Sequence, residues 1–277
     1  MGIDTMHLPV AVDQYNLVKY DQQTNRIEDI MSLTIEPGWT IEPGCTLGLT
    51  PPGYPLGSAF FNGTNQYLTT TLPNTPGTGN YTVEWWSYVT DWANPTNLNF
   101  FDTRTSTGDA NGFSVNVVGT ELRYRVSGTL GIATSRGGMS LNNWYHMAAV
   151  RSVSTNTLYI NGSSTITVTD GGDLSNSALA IGKSFDGAYF SGYISNFRYV
   201  QGVTVYTGTF TPPTQPLRAT QSAGANISAI TGVQTQILLN TTNDVNNLVN
   251  TSIYSVTMTN HGTSPGVSAS ASTPFTP

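Results

Sequence analysis

The chain has 277 residues, enough for one large β domain or two small ones with a sizeable core. Hydrophobic residues make up 38% and aromatics 10%, which argues against disorder, whereas charged residues make up only 9%, against roughly a quarter in an average soluble domain. With 10 Lys and Arg, no basic run and a formal net charge of −6, a nucleic-acid partner lacks its electrostatic term.

Cys45 is the only cysteine, so no intrachain disulfide forms, and one cysteine with the scattered His7, His146 and His261 makes no structural zinc site. The first ten residues lack a basic stretch followed by an apolar one, so Sec export is not expected. No apolar run approaches the ~20 residues that span a bilayer, so no membrane partner is expected.

Residues 1–55 hold few long strand patterns. The best amphipathic helical candidate, residues 18–30, is short and interrupted by Asn25. The pentapeptide TIEPG occurs at 34–38 and again at 40–44, too few copies for a solenoid. This region reads as an N-terminal anchoring arm, with 52–55 a stiff linker.

Residues 56–219 read as one large sandwich. β-branched and aromatic runs of four to eight residues alternate with turn signals at Asn62-Gly63, Asn111-Gly112, Asn161-Gly162, Gly171-Gly172 and Asp186-Gly187. Strands are expected at 58–68 (broken by the Asn62-Gly63 turn), 112–118, 121–126, 144–150, 157–160, 178–182 and 191–200. Residues 81–89 are apolar on both faces apart from Glu84, the pattern of a central strand. Residues 220–277 read as a C-terminal strand segment and tail.

With these segments placed, the body resembles the laminin-G-like, concanavalin-A-like jelly roll. The matching phrases are FFNG (60–63), Tyr67-Leu68, YTVEWW (81–86), NWYHMAAVR (143–151), LYING (158–162), LAIG (179–182) and GYISNFR (192–198), in the family's order. Residues 192–217 look like the closing segment of a subfamily common in virion proteins of tailed phages. ILLNT (237–241), VTMTNHG (256–262) and the Pro274-Phe275 pair extend that likeness. In the subfamily the segment like 237–262 usually precedes a jelly roll. Here it follows one, so 237–240 and 254–259 are expected as edge strands, added to this sandwich or to a neighbour's.

The resemblance implies an all-β, two-sheet antiparallel jelly-roll sandwich with an extended N-terminal arm and C-terminal add-on strands. It implies a virion location and a structural role, as capsid decoration or another external component, with other virion proteins and copies of itself as partners. A Thr-, Asn-, Ser- and Gly-rich surface without an export signal fits a particle assembled in the cytoplasm and released by lysis. The alternatives are an adhesin for host surface glycans and, from another class, a secreted lectin or glycan-active enzyme.

For glycosidase chemistry two carboxylates must flank the scissile bond. The body has only Glu84 and Glu121, on separate strands, so no catalytic residue is expected; Glu84 is expected as a partly buried carboxylate and His146 as a histidine packed between the sheets. Laminin-G-like domains often bind Ca²⁺ at a rim, which makes Asp102, Asp109 and Asp186 the calcium candidates, ahead of Asp170 and Asp173; Asp-Gly turn chemistry is the competing reading. For a glycan the candidates are Trp92, Asn111 and Tyr189, with Asn94 and Tyr54, because they fall in loops. Trp85, Trp86 and Trp144 fall in strands and are expected in the core.

Overall fold

The computed structural model describes residues 57–92, 97–241, 248–250, 252, 254, 256–262, 267–270 and 273–275, together with short strand segments in the first 28 residues. The chain divides into two compact units, Met1–Tyr54 and Pro55–Pro277. In the first, β1 (Val12–Asp13) pairs antiparallel with β2 (Asn16–Leu17), and β3 (Lys19–Asp21) with β4 (Arg26–Glu28). The stretch offered as a helix therefore contains a strand pair; an interrupted run this short does not repay helix nucleation. The TIEPG repeat and the 52–55 linker lie outside the described residues.

The second unit is a sandwich of two antiparallel sheets. Its strands are β5 (Ser58–Asn62), β6 (Tyr67–Thr71), β7 (Tyr81–Val89), β8 (Asn97–Asp102), β9 (Phe113–Val118), β10 (Glu121–Val126), β11 (Thr129–Ala133), β12 (Trp144–Ser152), β13 (Thr155–Ile160), β14 (Ser163–Thr169), β15 (Ala178–Ile181) and β16 (Ser191–Gln201), followed by β17 (Thr235–Thr241), β18 (Leu248–Asn250), β19 (Thr259–His261) and β20 (Ser268–Ser270). A seven-stranded sheet runs β11-β10-β9-β8-β15-β6-β19. A nine-stranded sheet runs β14-β13-β12-β7-β16-β17-β18, with β5 also on β16 and β20 on β5.

Period-two alternation decides which residues face inward. On β7, Tyr81, Val83, Trp85 and Val89 enter the core between the sheets, and Thr82, Glu84, Trp86 and Tyr88 face the other way. Trp85, fully buried, packs 5.7 Å from Phe100, 5.3 Å from Phe101 and 6.3 Å from Phe197 between ring centroids. Trp86 and Trp144 are not in this core: both lie half-buried on the outer face, because each is an odd number of positions from the inward residues of its strand.

The C-terminal segment closes this same sandwich. The Phe197 end of β16 pairs with β17, placing Ile237 and Leu239 in the core, while the Ser191 end pairs with β5. β19 extends the other sheet at β6, and β20 covers β5. Among the described residues of the expected edge strand at 254–259, only Thr259 lies in a strand.

Outside the nine-stranded sheet, the chain after β16 folds back over the outward residues of β12, β13 and β16. Ala148, Val150, Tyr159 and Val200 pack there with Val205, Tyr206, Phe210 and Ile230 as a second, smaller core. The turn after β13 shows why the sequence reads Asn-Gly at that point. Gly162 has φ +80°, and a Cβ on it would sit 1.8 Å from the Phe210 carbonyl oxygen, so only glycine admits the covering chain.

Candidate functional site

Glu84 lies beneath that cover. The register places it between Ala148 of β12 and Arg198 of β16, facing outward and fully buried. Arg198 donates from Nε to Oε1 at 2.8 Å and also from Nη2. Tyr206 donates its hydroxyl to Oε2 at 2.6 Å, and His146 Nε2 stands 3.2 Å from the same oxygen. Arg198 in turn reaches the Arg218 carbonyl at 2.7 Å and Gln221 Oε1 at 2.8 Å. Burial alone would raise the Glu84 pKa, but Arg198, His146 and Tyr206 together outweigh it and hold the carboxyl down at about 2. A ring stack of Tyr206 on Phe210, with centroids 3.6 Å apart, seals the cluster.

The carboxylate is thus wholly rather than partly buried, and it clamps the covering chain to the sheet. His146 is also displaced from expectation. It lies on the outer face, edge-on to Trp86, Tyr206 and Phe210, not between the sheets. Glu121, on β10 of the opposite sheet, is engaged by Arg123 at 2.7 Å.

Of the acidic candidates, Asp102 ends β8 while Asp109, Asp170 and Asp186 lie in loops, and these four are engaged by protein donors. Asp102 is buried and gripped two-fold by Arg104, Nε to Oδ1 at 2.9 Å and Nη2 to Oδ2 at 2.7 Å, so a guanidinium occupies the place of a cation. Desolvation nevertheless raises its pKa against the pull of Arg104. Asp109 accepts from the Thr105 amide and hydroxyl, the Asn111 amide and Asn176 Nδ2, and these bonds lower its pKa against a desolvation effect that raises it. Exposed Asp186 takes the Ser184 hydroxyl. Asp170 accepts from the Gly172 amide at 2.8 Å, a turn contact, and Asp173 is exposed. Among the described residues, no group of three His, Cys, Asp or Glu side chains is placed to hold a metal.

Trp92, Asn111 and Tyr189 are not brought together. Trp92 follows the Val89 end of β7 and lies half-buried under Arg136, 5.0 Å from the ring centroid. Tyr189 precedes the Ser191 end of β16, beside Tyr67 and Lys183. Exposed Asn111 stands at the opposite end of the sandwich, just before Phe113, which packs on Tyr81 at the start of β7. Asn94 and Tyr54 lie outside the described residues.

A different set of aromatics is assembled by register. Phe60 on β5 faces Tyr193 on β16, Tyr193 faces Tyr88 on β7, and Tyr88 faces Trp144 on β12. Their centroids are 5.2, 5.7 and 5.4 Å apart, in one row across four strands on the outer face of the nine-stranded sheet. All four are half-buried. One step outward, Thr90 and Ser191 place hydroxyls 3.2 Å apart. One step inward, Phe275 meets Trp86 edge-on at 5.7 Å. Inclined rings at strand spacing, edged by hydroxyls, form a platform on which the apolar faces of successive sugar rings can rest.

The family model described as the concanavalin A-like lectin/glucanases superfamily, of laminin G type, matches residues 62–204, more than half of the chain. The chain belongs to this superfamily. Solved structures similar to the chain include domains LG4-5 of mouse laminin alpha1 (14% identity, TM-score 0.40, covering 57% of this chain and 47% of that one). A Bacteroides ovatus protein described as carbohydrate-binding gives 14% identity and a TM-score of 0.44 over 75% of this chain and 60% of that one. Domain 4 of an extracellular arabinanase from Geobacillus stearothermophilus, solved with arabinotriose, gives 19% identity and a TM-score of 0.37 over 48% and 64%. The chain thus spans about half the length of the laminin pair it matches. No curated protein matches it.

Within the concanavalin A-like sandwich, the aromatic row was missed by searching loops for exposed rings. The available signal was strand parity: Tyr88 and Trp144 each stand an odd number of positions from an inward residue, Trp85 and Met147 respectively. Pairing them with Tyr193 and Phe60 required the register, which residue types alone do not supply.

Proposed function

We propose that this chain is a non-catalytic external component of a bacteriophage particle whose sandwich holds host-surface polysaccharide on the row Phe60, Tyr193, Tyr88 and Trp144. The observation that carries the binding is the row itself: four half-buried rings in cross-strand register, edged by the Thr90 and Ser191 hydroxyls. The non-catalytic reading is supported by the placement of the sandwich's two glutamates, one sealed beneath Tyr206 and Phe210 and one on the other sheet. The particle assignment rests on the likeness of residues 192–217 and 237–275 to phage virion proteins and on a surface with few charges. The N-terminal arm, residues 1–55, is assigned the contacts with other virion proteins or further copies of the chain. Capsid decoration and host attachment are then two aspects of one external component.

The test uses the full chain with neutral polysaccharides extracted from bacterial surfaces, followed by affinity electrophoresis. Retardation without release of reducing sugar is expected. The Tyr88→Ala/Trp144→Ala double variant, checked for retained fold by circular dichroism, should bind about tenfold or more weakly. Equal retardation of the double variant refutes the row, sugar release refutes the non-catalytic reading, and failure of antibody labelling on purified phage particles refutes the location.

A further inference from the structure

The dipeptide Asn-Gly occurs three times in the chain, at 62–63, 111–112 and 161–162. Beyond favouring turns, it carries a chemistry of its own. Glycine has no Cβ to shield its amide nitrogen, so that nitrogen can reach the Cγ of the preceding asparagine whenever the side chain is free to rotate. The fold treats the three instances differently.

At Asn62 rotation is blocked. Its Oδ1 accepts from the amides of Thr64, Asn65 and Gln66 at 3.0, 3.1 and 3.2 Å, and its Nδ2 donates to Asn65 Oδ1 at 2.9 Å. The Gly63 amide is itself engaged, donating to the Phe190 carbonyl at 2.9 Å. Asn161 is held by the His146 amide, which donates to its Oδ1 at 2.9 Å, and Gly162 is wedged beneath the Phe210 carbonyl. At Asn111 neither kind of restraint is present. Its side chain is exposed and makes no hydrogen bond among the described residues, and the Gly112 amide donates none. Only its backbone is tied: the Asn111 amide donates to Asp109 Oδ1 at 2.9 Å, and its carbonyl accepts from the Asn176 amide at 3.1 Å.

We propose that Asn111 is a self-modification site, converting without an enzyme to aspartate and isoaspartate while Asn62 and Asn161 stay intact. The Gly112 nitrogen attacks Asn111 Cγ, the bond from Cγ to Nδ2 breaks, and ammonia leaves with the proton from the Gly112 amide. Water then opens the five-membered imide at one of its two carbonyls, which returns either a normal or an isoaspartyl linkage. Both products place a second carboxylate beside Asp109, whose own carboxylate takes the Thr105 amide and hydroxyl and Asn176 Nδ2. The isoaspartyl product also lengthens the main chain by one carbon before Gly112, which has no room to move inward, since a Cβ there would lie 2.8 Å from Arg104 Cα. The extra carbon is therefore taken up on the exposed side, at the expense of the bonds from residue 111 to Asp109 and Asn176. The loop becomes more acidic and looser as the protein ages.

The experiment ages the full chain in mildly alkaline buffer and follows each site by mass spectrometry. Trypsin separates the three, in peptides 27–104, 105–123 and 152–183. In the folded chain, 105–123 should gain the mass difference between an amide and an acid at least about tenfold faster than the other two, which react only after local opening. In a parallel sample held unfolded in urea, that lead should shrink to within about threefold, because the bonds that protect Asn62 and Asn161 are gone. An Asn111→Gln variant, checked for an unchanged fold by circular dichroism, should abolish the early gain in 105–123. Equal rates at the three sites in the folded chain would overturn the proposal. So would an Asn111 that stays intact while the unfolded chain converts, an undiminished lead in urea, or an early gain that survives Asn111→Gln.

Discussion

The two outer faces of the sandwich solve the same problem differently. Both sheets send one side of each strand into a common core, and both must account for the other side. On the nine-stranded sheet the chain itself covers part of the face, and the buried carboxylate, guanidinium and phenol there are matched to one another around Glu84, while His146 Nδ1 beside them has no partner. On the seven-stranded sheet, polar groups are buried just as deeply, but among the described residues three acceptors, Asn99 Oδ1, Ser114 Oγ and Asn116 Oδ1, are left without donors and Arg125 without a carboxylate. A buried ion pair whose charges are matched holds a structure together; neutral acceptors left without donors cost stability. Depth of burial alone does not tell them apart.

The largest expected effect comes from breaking the matched cluster. Arg198→Met leaves Glu84 buried without its cation and should cost about 3–5 kcal/mol in urea-induced unfolding, as for other buried pairs that lose one partner. Adding Glu84→Gln should recover much of that loss, because the uncompensated charge is then gone. A single variant losing less than about 1 kcal/mol would mean that the clamp does not hold the covering chain.

A smaller effect follows from pH. The folded-state pKa of Glu84, about 2, lies below its ordinary value of 4.5. Its contribution is therefore complete above about pH 4.5 and lost as pH falls from there toward about pH 2, amounting to a few kcal/mol. Denaturation midpoints measured from pH 6 to pH 2 should fall through this window more steeply for the parent than for the Glu84→Gln/Arg198→Met double variant. Parallel curves would remove Glu84 from the account.

Much of the fold was legible in residue order, because turn dipeptides and alternation are local. The strands at 81–89, 121–126 and 144–150 and the Asn161-Gly162 turn follow from patterns a few residues long. The clamp was not legible in the same way. Glu84 and Arg198 are 114 residues apart and meet only after β7 and β16 pair, across a register shift between Ser195 and Arg198. The destination of the C-terminal segment was open for a related reason: β-branched and apolar residues at 237–239 announce a strand but not which edge receives it. The aspartates are ambiguous for the opposite reason, since a turn aspartate and a rim ligand have the same local sequence. Only the surrounding donors, Arg104 on Asp102 and Thr105 and Asn176 on Asp109, separate the two.

The smallest expected effect tests the incomplete face. A hydroxyl that bonds to nothing contributes no hydrogen bond when it is removed, and its deletion relieves the cost of keeping it dry. Ser114→Ala should therefore leave stability within about 0.5 kcal/mol of the parent, or raise it slightly, although Ser114 is fully buried in the middle of a sheet. Removing a fully bonded buried polar group should cost about 1–3 kcal/mol more than this. The measurement is a pair of urea curves. A loss above about 1 kcal/mol for Ser114→Ala would mean that Oγ is already satisfied in solution, by water or by the chain, and the contrast between the two faces would collapse.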